Sequence, residues 1–187
     1  LGAVKCSFIV SSFERPAHLA CLLRSLQIQS ERDFEVLVTD NSPTEANRQI
    51  VEQLEDSRFK YHSTRLADCY CSANHGASLA QGEYLCFPSD DGYYVPRFLQ
   101  TMLAAVPADL IYSDCIYDGH GIHYATMDAA PVAGRIDKGG FLVKREKFTG
   151  FAGPAGMGRA ADAWLIEALI KTGVTHTKAP GYLWIHN

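Results

Sequence analysis

Tyr84-Leu85-Cys86-Phe87-Pro88-Ser89-Asp90-Asp91-Gly92 runs from an apolar stretch straight into two adjacent carboxylates and a glycine. A strand buried on both faces of a parallel sheet reads as such an unbroken apolar run, and open α/β sheets bind ligands beyond the carboxyl ends of these strands. Asp90 and Asp91 therefore stand where a ligand would be. Side by side they repel each other, so a buried pair needs a cation, hydroxyl donors or water to carry its charge. A hard divalent ion suits them, because Mg²⁺-type ions use one or two protein carboxylates and complete their shell from water and substrate phosphates. A solvated acidic turn has the same local sequence, and the rest of the chain decides between the two.

Upstream, Lys5 to Val10 predicts a strand, and Ser11-Ser12-Phe13-Glu14-Arg15-Pro16 a turn feeding a helix. Pro16 suits a first helical position, and Leu19, Leu22, Leu23 and Leu26 recur at the spacing of one buried helical face. Phe34 to Thr39 predicts a second strand, ending in Asp40-Asn41-Ser42-Pro43, whose side chains can cap the next helix. That helix points Ile50, Val51 and Leu54 inward. Arg58 to His62 reads as a short third strand, Ser72 to Ala80 as a tightly packed helix, and Gln81-Gly82-Glu83 as its stop. The order β-α-β-α-β-α-β implies a parallel sheet with right-handed crossovers.

Downstream, Val95-Pro96 opens a helix carrying Phe98, Leu99, Met102 and Leu103, and Asp109 to Tyr117 forms a long strand to which His120 to Tyr124 returns antiparallel. Periodicity is lost from Ala125 to Lys138, and so long a loop in a compact domain is functional or mobile. Order resumes at Gly139 to Val143, in a helix from Arg159 to Lys171, and in a final strand from Gly181 to His186.

At 187 residues, 47 % hydrophobic, 20 % charged and with a net charge of −4, the chain fits one globular domain with a sizeable core. A mildly acidic chain without basic clusters argues against nucleic acid as a partner, and an acidic protein that binds an anion needs a bridging cation. No stretch is long and apolar enough for a membrane span, and no secretory pattern opens the sequence. Leu1 is not an initiator methionine, and whether the sequence is cut from something longer stays open at this point. Six cysteines without a paired framework point to reduced thiols and a cytoplasmic setting. Cys69-x-Cys71 with His75 lacks a fourth zinc ligand at usual spacing. The first strand is not followed by Gly-x-Gly-x-x-Gly, which disfavours a dinucleotide-binding oxidoreductase.

Taken in order, these pieces resemble a family 2 glycosyltransferase with the GT-A fold. Phe8 to Pro16 with the leucine-rich helix resembles that family's opening, and Phe34 to Ser42 its second strand with terminal aspartate. Ala73-Asn74-His75-Gly76 followed by Ala80-Gln81-Gly82-Glu83-Tyr84 is similar to its asparagine-glycine helix and strand entry, and Ser89-Asp90-Asp91 occupies the place of its Asp-x-Asp element. Pro88 stands where the family often has a further aspartate. The resemblance implies an α/β fold, a three-layer α/β/α sandwich with a mostly parallel central sheet, in one domain over residues 1–187. Its nucleotide-binding half spans about 1–105 and its acceptor half about 106–187.

The same resemblance implies transfer of a sugar from a nucleotide-diphospho-sugar, a UDP-sugar first among them, to a saccharide, lipid-linked or protein acceptor. The Ser11-Ser12-Phe13 turn, Asp40, Arg65 and Asp90 would bind the nucleotide-sugar. Asp91 and His186 would hold Mn²⁺ or Mg²⁺. Inverting transfer needs a base for the acceptor hydroxyl, and Asp162 in Arg159-Ala160-Ala161-Asp162-Ala163-Trp164-Leu165 fits that place, though without the family's preceding Gly-Glu. Gly139-Gly140-Phe141 resembles the segment beside the acceptor cleft, where glycine lets a substrate approach the backbone closely, with Ala125 to Lys138 as a lid ordered by donor. Neither the Gln-x-x-Arg-Trp element nor the membrane helices of processive synthases are present, so transfer of a single sugar is expected. A nucleotide-sugar-binding or regulatory module without turnover is the alternative.

Overall fold

The computed structural model describes residues 4–66, 68–119, 124–151 and 161–187. In chain order its strands are β1 (Cys6–Ser12), β2 (Phe34–Asp40), β3 (Phe59–Ser63), β4 (Tyr84–Cys86), β5 (Tyr93–Tyr94), β6 (Leu110–Tyr117), β7 (Ala125–Met127), β8 (Phe141–Lys144) and β9 (His176–His186). Its helices are α1 (Pro16–Gln27), α2 (Ala46–Glu52), α3 (Cys69–Leu79), α4 (Phe98–Leu103) and α5 (Ala161–Lys171). All strands join one sheet in the order β3-β2-β1-β4-β8-β6-β9-β5, with β7 paired to β6.

The first four strands are mutually parallel, as their helix-separated order requires. Beyond β4 the sheet is mixed: β8 runs antiparallel to β4 and β6, whereas β9 runs parallel to β6. Every residue of β2 is buried, the mark of a central strand covered on both faces. Alternation then sorts β1 and β2 between two cores. Phe8, Val10, Val36 and Val38 meet the α1 leucines and Phe98 on one side, and Ile9 and Leu37 join Leu85, Phe87 and Leu165 on the other. This is the three-layer α/β/α arrangement that the sequence implies.

Pro16 opens α1, and Leu19, Leu22, Leu23 and Leu26 are fully buried. Each such leucine contributes up to about 2–3 kcal/mol of burial. In α3 the small residues Ser72, Ala73 and Gly76 face the sheet, and Asp68 caps its first turn by accepting from the Tyr70 and Cys71 amides at 2.8 Å.

Three features differ from expectation. Strand β5 is only two residues long, too short to show a period, and it forms by pairing with Ile185 and Trp184. Strand β9 begins well before Gly181, because a register irregularity against β6 absorbs Pro180 and Gly181, the latter at φ 94°. The expected return strand at His120 to Tyr124 lies mostly outside the described residues, and Ala125–Met127 pairs antiparallel with β6 beside β8.

One buried acid ties the parallel half together. Glu35 accepts from Ser7 Oγ at 2.7 Å, the Gln81 amide at 2.7 Å and Lys60 Nζ at 2.8 Å. Burial alone would raise its pKa, but Lys60, the Gln81 amide and Ser7 outweigh it and hold the carboxyl below its ordinary value. A depressed folded-state pKa gives stability that is present above the unfolded pKa of about 4.3 and is lost as pH falls through the folded value. Glu35→Gln is therefore expected to lower stability at pH 7 and to flatten the acid limb of a denaturation curve followed by circular dichroism.

Candidate active site

The carboxyl ends of β1, β2 and β4 open onto a cleft of about 930 Å³, and Ser11, Ser12, Phe13, Arg65, Asp90 and Asp91 all line it. An isolated bridge between Ser11 and Ser89 draws the end of β1 beside the aspartates. Asp90 is 6 % exposed; its Oδ2 accepts from Ser12 Oγ at 2.8 Å and its Oδ1 from Arg15 Nη1 at 3.2 Å. Burial raises its pKa, and Ser12 and Arg15 offset only part of the rise. Asp91 Oδ2 accepts from the same Arg15 nitrogen at 3.0 Å. Its other oxygen, Oδ1, is buried without a hydrogen-bond partner among the described residues and faces His186 Nε2 at 3.7 Å.

His186 is itself held from behind. Its Nδ1 lies 2.7 Å from Asp137 Oδ2, an oxygen that also accepts from Tyr117 Oη at 3.1 Å, while Asp137 Oδ1 accepts from the Gly139 amide at 2.9 Å. Asp137, 7 % exposed, raises the pKa of His186 chiefly through that hydrogen bond. A carboxylate behind a histidine fixes the ring and leaves its other nitrogen facing forward.

One indole spaces these groups. Trp184 is fully buried, and a Cβ on either Gly92 or Gly139 would collide with its ring. The glycine after the aspartate pair and the glycine after Asp137-Lys138 are thus both demanded by Trp184. This corrects the expectation that Gly139 leaves room for substrate: tryptophan fills the space. Tyr94 Oη closes the arrangement by donating to the Gly139 carbonyl at 2.8 Å. Gly139→Ala is expected to cost about 1–3 kcal/mol through overpacking and to displace His186 together with the indole. Thermal denaturation and a Mn²⁺ titration of the variant check both effects.

Asp40 lies beneath the cleft. Fully buried, it accepts from Ser42 N at 3.0 Å, Ser42 Oγ at 2.6 Å, Asn47 Nδ2 at 3.0 Å and Tyr61 Oη at 2.9 Å. It organises the turn that presents Asn41 and Ser42 to the cleft, and Asn41 Oδ1 accepts from the Leu66 amide at 3.1 Å beside Arg65. The side chains after β2 do not cap α2, which has no side-chain cap. Ser42 serves Asp40 instead, while Asn41 donates to Ser72 Oγ and accepts from Thr64 Oγ1 and the Leu66 amide.

Asp162 occupies the first turn of α5, half-buried, its Oδ1 accepting from the Ala163 amide at 2.8 Å. Arg159 and Ala160 lie outside the described residues. Burial raises the Asp162 pKa, Asp137 reinforces the rise and Lys138 opposes it. Lys138 also lines the main cleft, so the electrostatic neighbourhood of Asp162 adjoins the aspartate pair.

Arg15, Asp137 and Lys138 escaped the sequence reading. Arg15 reads as a turn residue before a proline, and Asp137-Lys138 closes an aperiodic stretch. That stretch is pinned rather than built as a free lid: Asp114 Oδ1 accepts from the Ala129 amide at 2.6 Å, and Ala129 and Ile136 are buried.

No group of three or more His, Cys, Asp or Glu side chains gathers as a metal cage among the described residues. Asp91 and His186 offer a carboxylate oxygen that has no hydrogen-bond partner among the described residues and an oriented imidazole nitrogen. Such a donor set fits a divalent ion that draws its remaining ligands from water and a diphosphate.

Residues 7–162 match the family described as glycosyl transferase family 2. The chain belongs to glycosyl transferase family 2. This family 2 chain is 26 % identical over 123 residues to the GalNAc(5)-diNAcBac-PP-undecaprenol beta-1,3-glucosyltransferase of Campylobacter jejuni, covering 63 % of this chain and 40 % of that protein. It is 33 % identical over 127 residues to the validoxylamine A glucosyltransferase of Streptomyces hygroscopicus subsp. limoneus, covering 63 % and 28 %. It therefore spans less than half the length of these relatives.

Its fold is that of S. aureus TarS 1-349, solved in complex with UDP-GlcNAc, at a TM-score of 0.81 and 18 % identity over 97 % of this chain and 58 % of that one. Mannosyltransferase PcManGT from Pyrobaculum calidifontis, solved with GDP-Man and Mn²⁺, gives 0.77 at 17 % identity over 97 % and 56 %. These likenesses establish the GT-A fold for the family 2 chain. Among its described residues no helix is long and apolar enough to cross a membrane.

Proposed function

We propose that this chain transfers a single sugar from a nucleotide-diphospho-sugar, a UDP-sugar first among them, to an acceptor hydroxyl, with inversion and with Mn²⁺ or Mg²⁺. The observation that carries this reading is Asp91, with one oxygen that has no hydrogen-bond partner among the described residues and faces an oriented His186, in the cleft beyond β4. Residues up to about 105 form the donor half and those from about 106 the acceptor half.

Ser11, Ser12 and Phe13 line the nucleoside, Asp40 holds the turn that presents Asn41 and Ser42 to it, and Arg65 meets its charge. Asp90, steadied by Ser12, receives the ribose or sugar hydroxyls. Asp91 and His186 hold the divalent ion, with Asp137 fixing the imidazole. A bound divalent cation supplies charge stabilisation to the departing diphosphate. Lys138 adds a positive charge on the same wall. Asp162 takes the proton from the acceptor hydroxyl, and its raised pKa strengthens it as a base.

The C. jejuni relative, with a diphospho-undecaprenol in its name, supports a lipid-linked saccharide as acceptor, beside free saccharide or protein. Six free cysteines fit a reducing, cytoplasmic setting. Incubation with UDP-sugars and Mn²⁺ is expected to release UDP slowly by donor hydrolysis and faster with a saccharide acceptor. Metal-dependent UDP binding without turnover across donors and acceptors would favour a non-catalytic module instead.

A further inference from the structure

Arg15 is placed on the aspartate pair by a strained turn. Glu14 adopts a left-handed φ of 51°, its amide donates to Ser42 Oγ at 2.7 Å, and Pro16 starts α1 immediately afterwards. Non-glycine residues in that region persist where surrounding contacts over-determine them, and they cluster at functional sites. The effect here is to turn the Arg15 guanidinium back over the end of β4.

The contact it makes is exchangeable. A single nitrogen, Nη1, serves Asp90 Oδ1 at 3.2 Å and Asp91 Oδ2 at 3.0 Å, whereas a strong arginine–carboxylate pair is a two-nitrogen fork at about 2.7–2.9 Å. The Arg15 side chain is 52 % exposed and lines the cleft, with open volume to move into. It shares Asp91 with His186, on the other oxygen of the same carboxylate.

We propose that Arg15 couples metal and donor binding: it occupies the carboxylate pair in the free chain and exchanges it for the donor's diphosphate. The inference rests on the function proposed above. A cation gained by Asp91 is opposed by a guanidinium held on the same carboxylate, so metal alone binds weakly. A diphosphate entering the cleft offers that guanidinium a better anion and frees the carboxylates. Each ligand then strengthens the other by the same factor, as linkage requires.

The test is a Mn²⁺ titration followed by the electron paramagnetic resonance of the free ion, with and without UDP, on wild type, Arg15→Gln and Arg15→Lys, each checked by circular dichroism. Arg15→Gln is expected to bind Mn²⁺ alone about two- to thirtyfold more tightly, the range that two partly exposed ion pairs span. The factor by which UDP improves Mn²⁺ affinity should shrink correspondingly. Arg15→Lys, which keeps the charge, should fall between the two. Equal or weaker Mn²⁺ binding in folded Arg15→Gln, with the UDP effect intact, overturns the proposal and leaves Arg15 as a brace. A wild-type chain that binds neither Mn²⁺ nor UDP removes the proposed function itself, and this inference with it.

Discussion

Asp91→Asn is expected to lose donor hydrolysis and sugar transfer by about 10³-fold at saturating Mn²⁺ while keeping its fold. A unit-charge interaction at close range is worth on the order of 4 kcal/mol at an effective dielectric near 20, and each 1.36 kcal/mol is tenfold in rate. The variant removes the carboxylate charge whose Oδ1 has no other partner among the described residues. Folding should survive, because Arg15 keeps Asp90 and Trp184 keeps its seat against Gly92. UDP release assays read the first effect and thermal denaturation the second. Wild-type turnover in Asp91→Asn would remove the charge argument.

Asp162→Asn is expected to lower kcat by about 10²- to 10⁴-fold, the usual contribution of a positioned base, with UDP and Mn²⁺ affinity unchanged. The pH dependence supplies a second readout. A base acts only when ionised, and burial raises the Asp162 pKa, so wild-type kcat should climb with pH through a value above the ordinary aspartate range near 4. That limb should vanish in the variant. The sign for stability is opposite: a raised folded-state pKa gives stability present below the unfolded pKa and lost as pH rises through the folded one. Asp162→Asn should therefore melt no lower than wild type at pH 7. Reduced kcat with a reduced melting temperature and weakened UDP binding would instead mark Asp162 as structural.

The parallel half of the fold is legible because its physics is local. Apolar runs such as Phe8 to Val10 and Val36 to Val38 announce strands covered on both faces, and the α1 leucines announce a buried helical face. The mixed half is less legible. A two-residue strand such as Tyr93–Tyr94 exists only because Trp184 and Ile185 lie beside it, and Pro180 with Gly181 reads as a break although the ladder absorbs it.

The site divides in the same way. Asp90 and Asp91 are visible because an apolar strand points at them. Asp137 is hidden because its meaning depends on a histidine 49 residues later, and Arg15 because it reaches aspartates 75 and 76 residues away. Asp40 is visible as an acid at a strand end, yet sequence cannot tell that Ser42, Asn47 and Tyr61 consume its oxygens. Gly139 looks like space for a substrate, and only packing reveals that Trp184 requires it.

Calorimetric titration of UDP into the chain, with and without Mn²⁺, tests most directly whether the carboxylates at the end of β4 hold a donor through a metal. Mn²⁺ should tighten UDP binding by about tenfold or more, a difference of 1.4 kcal/mol, and Asp91→Asn should abolish the enhancement. A wild-type chain that binds UDP with the same affinity in the presence and absence of Mn²⁺ contradicts the account.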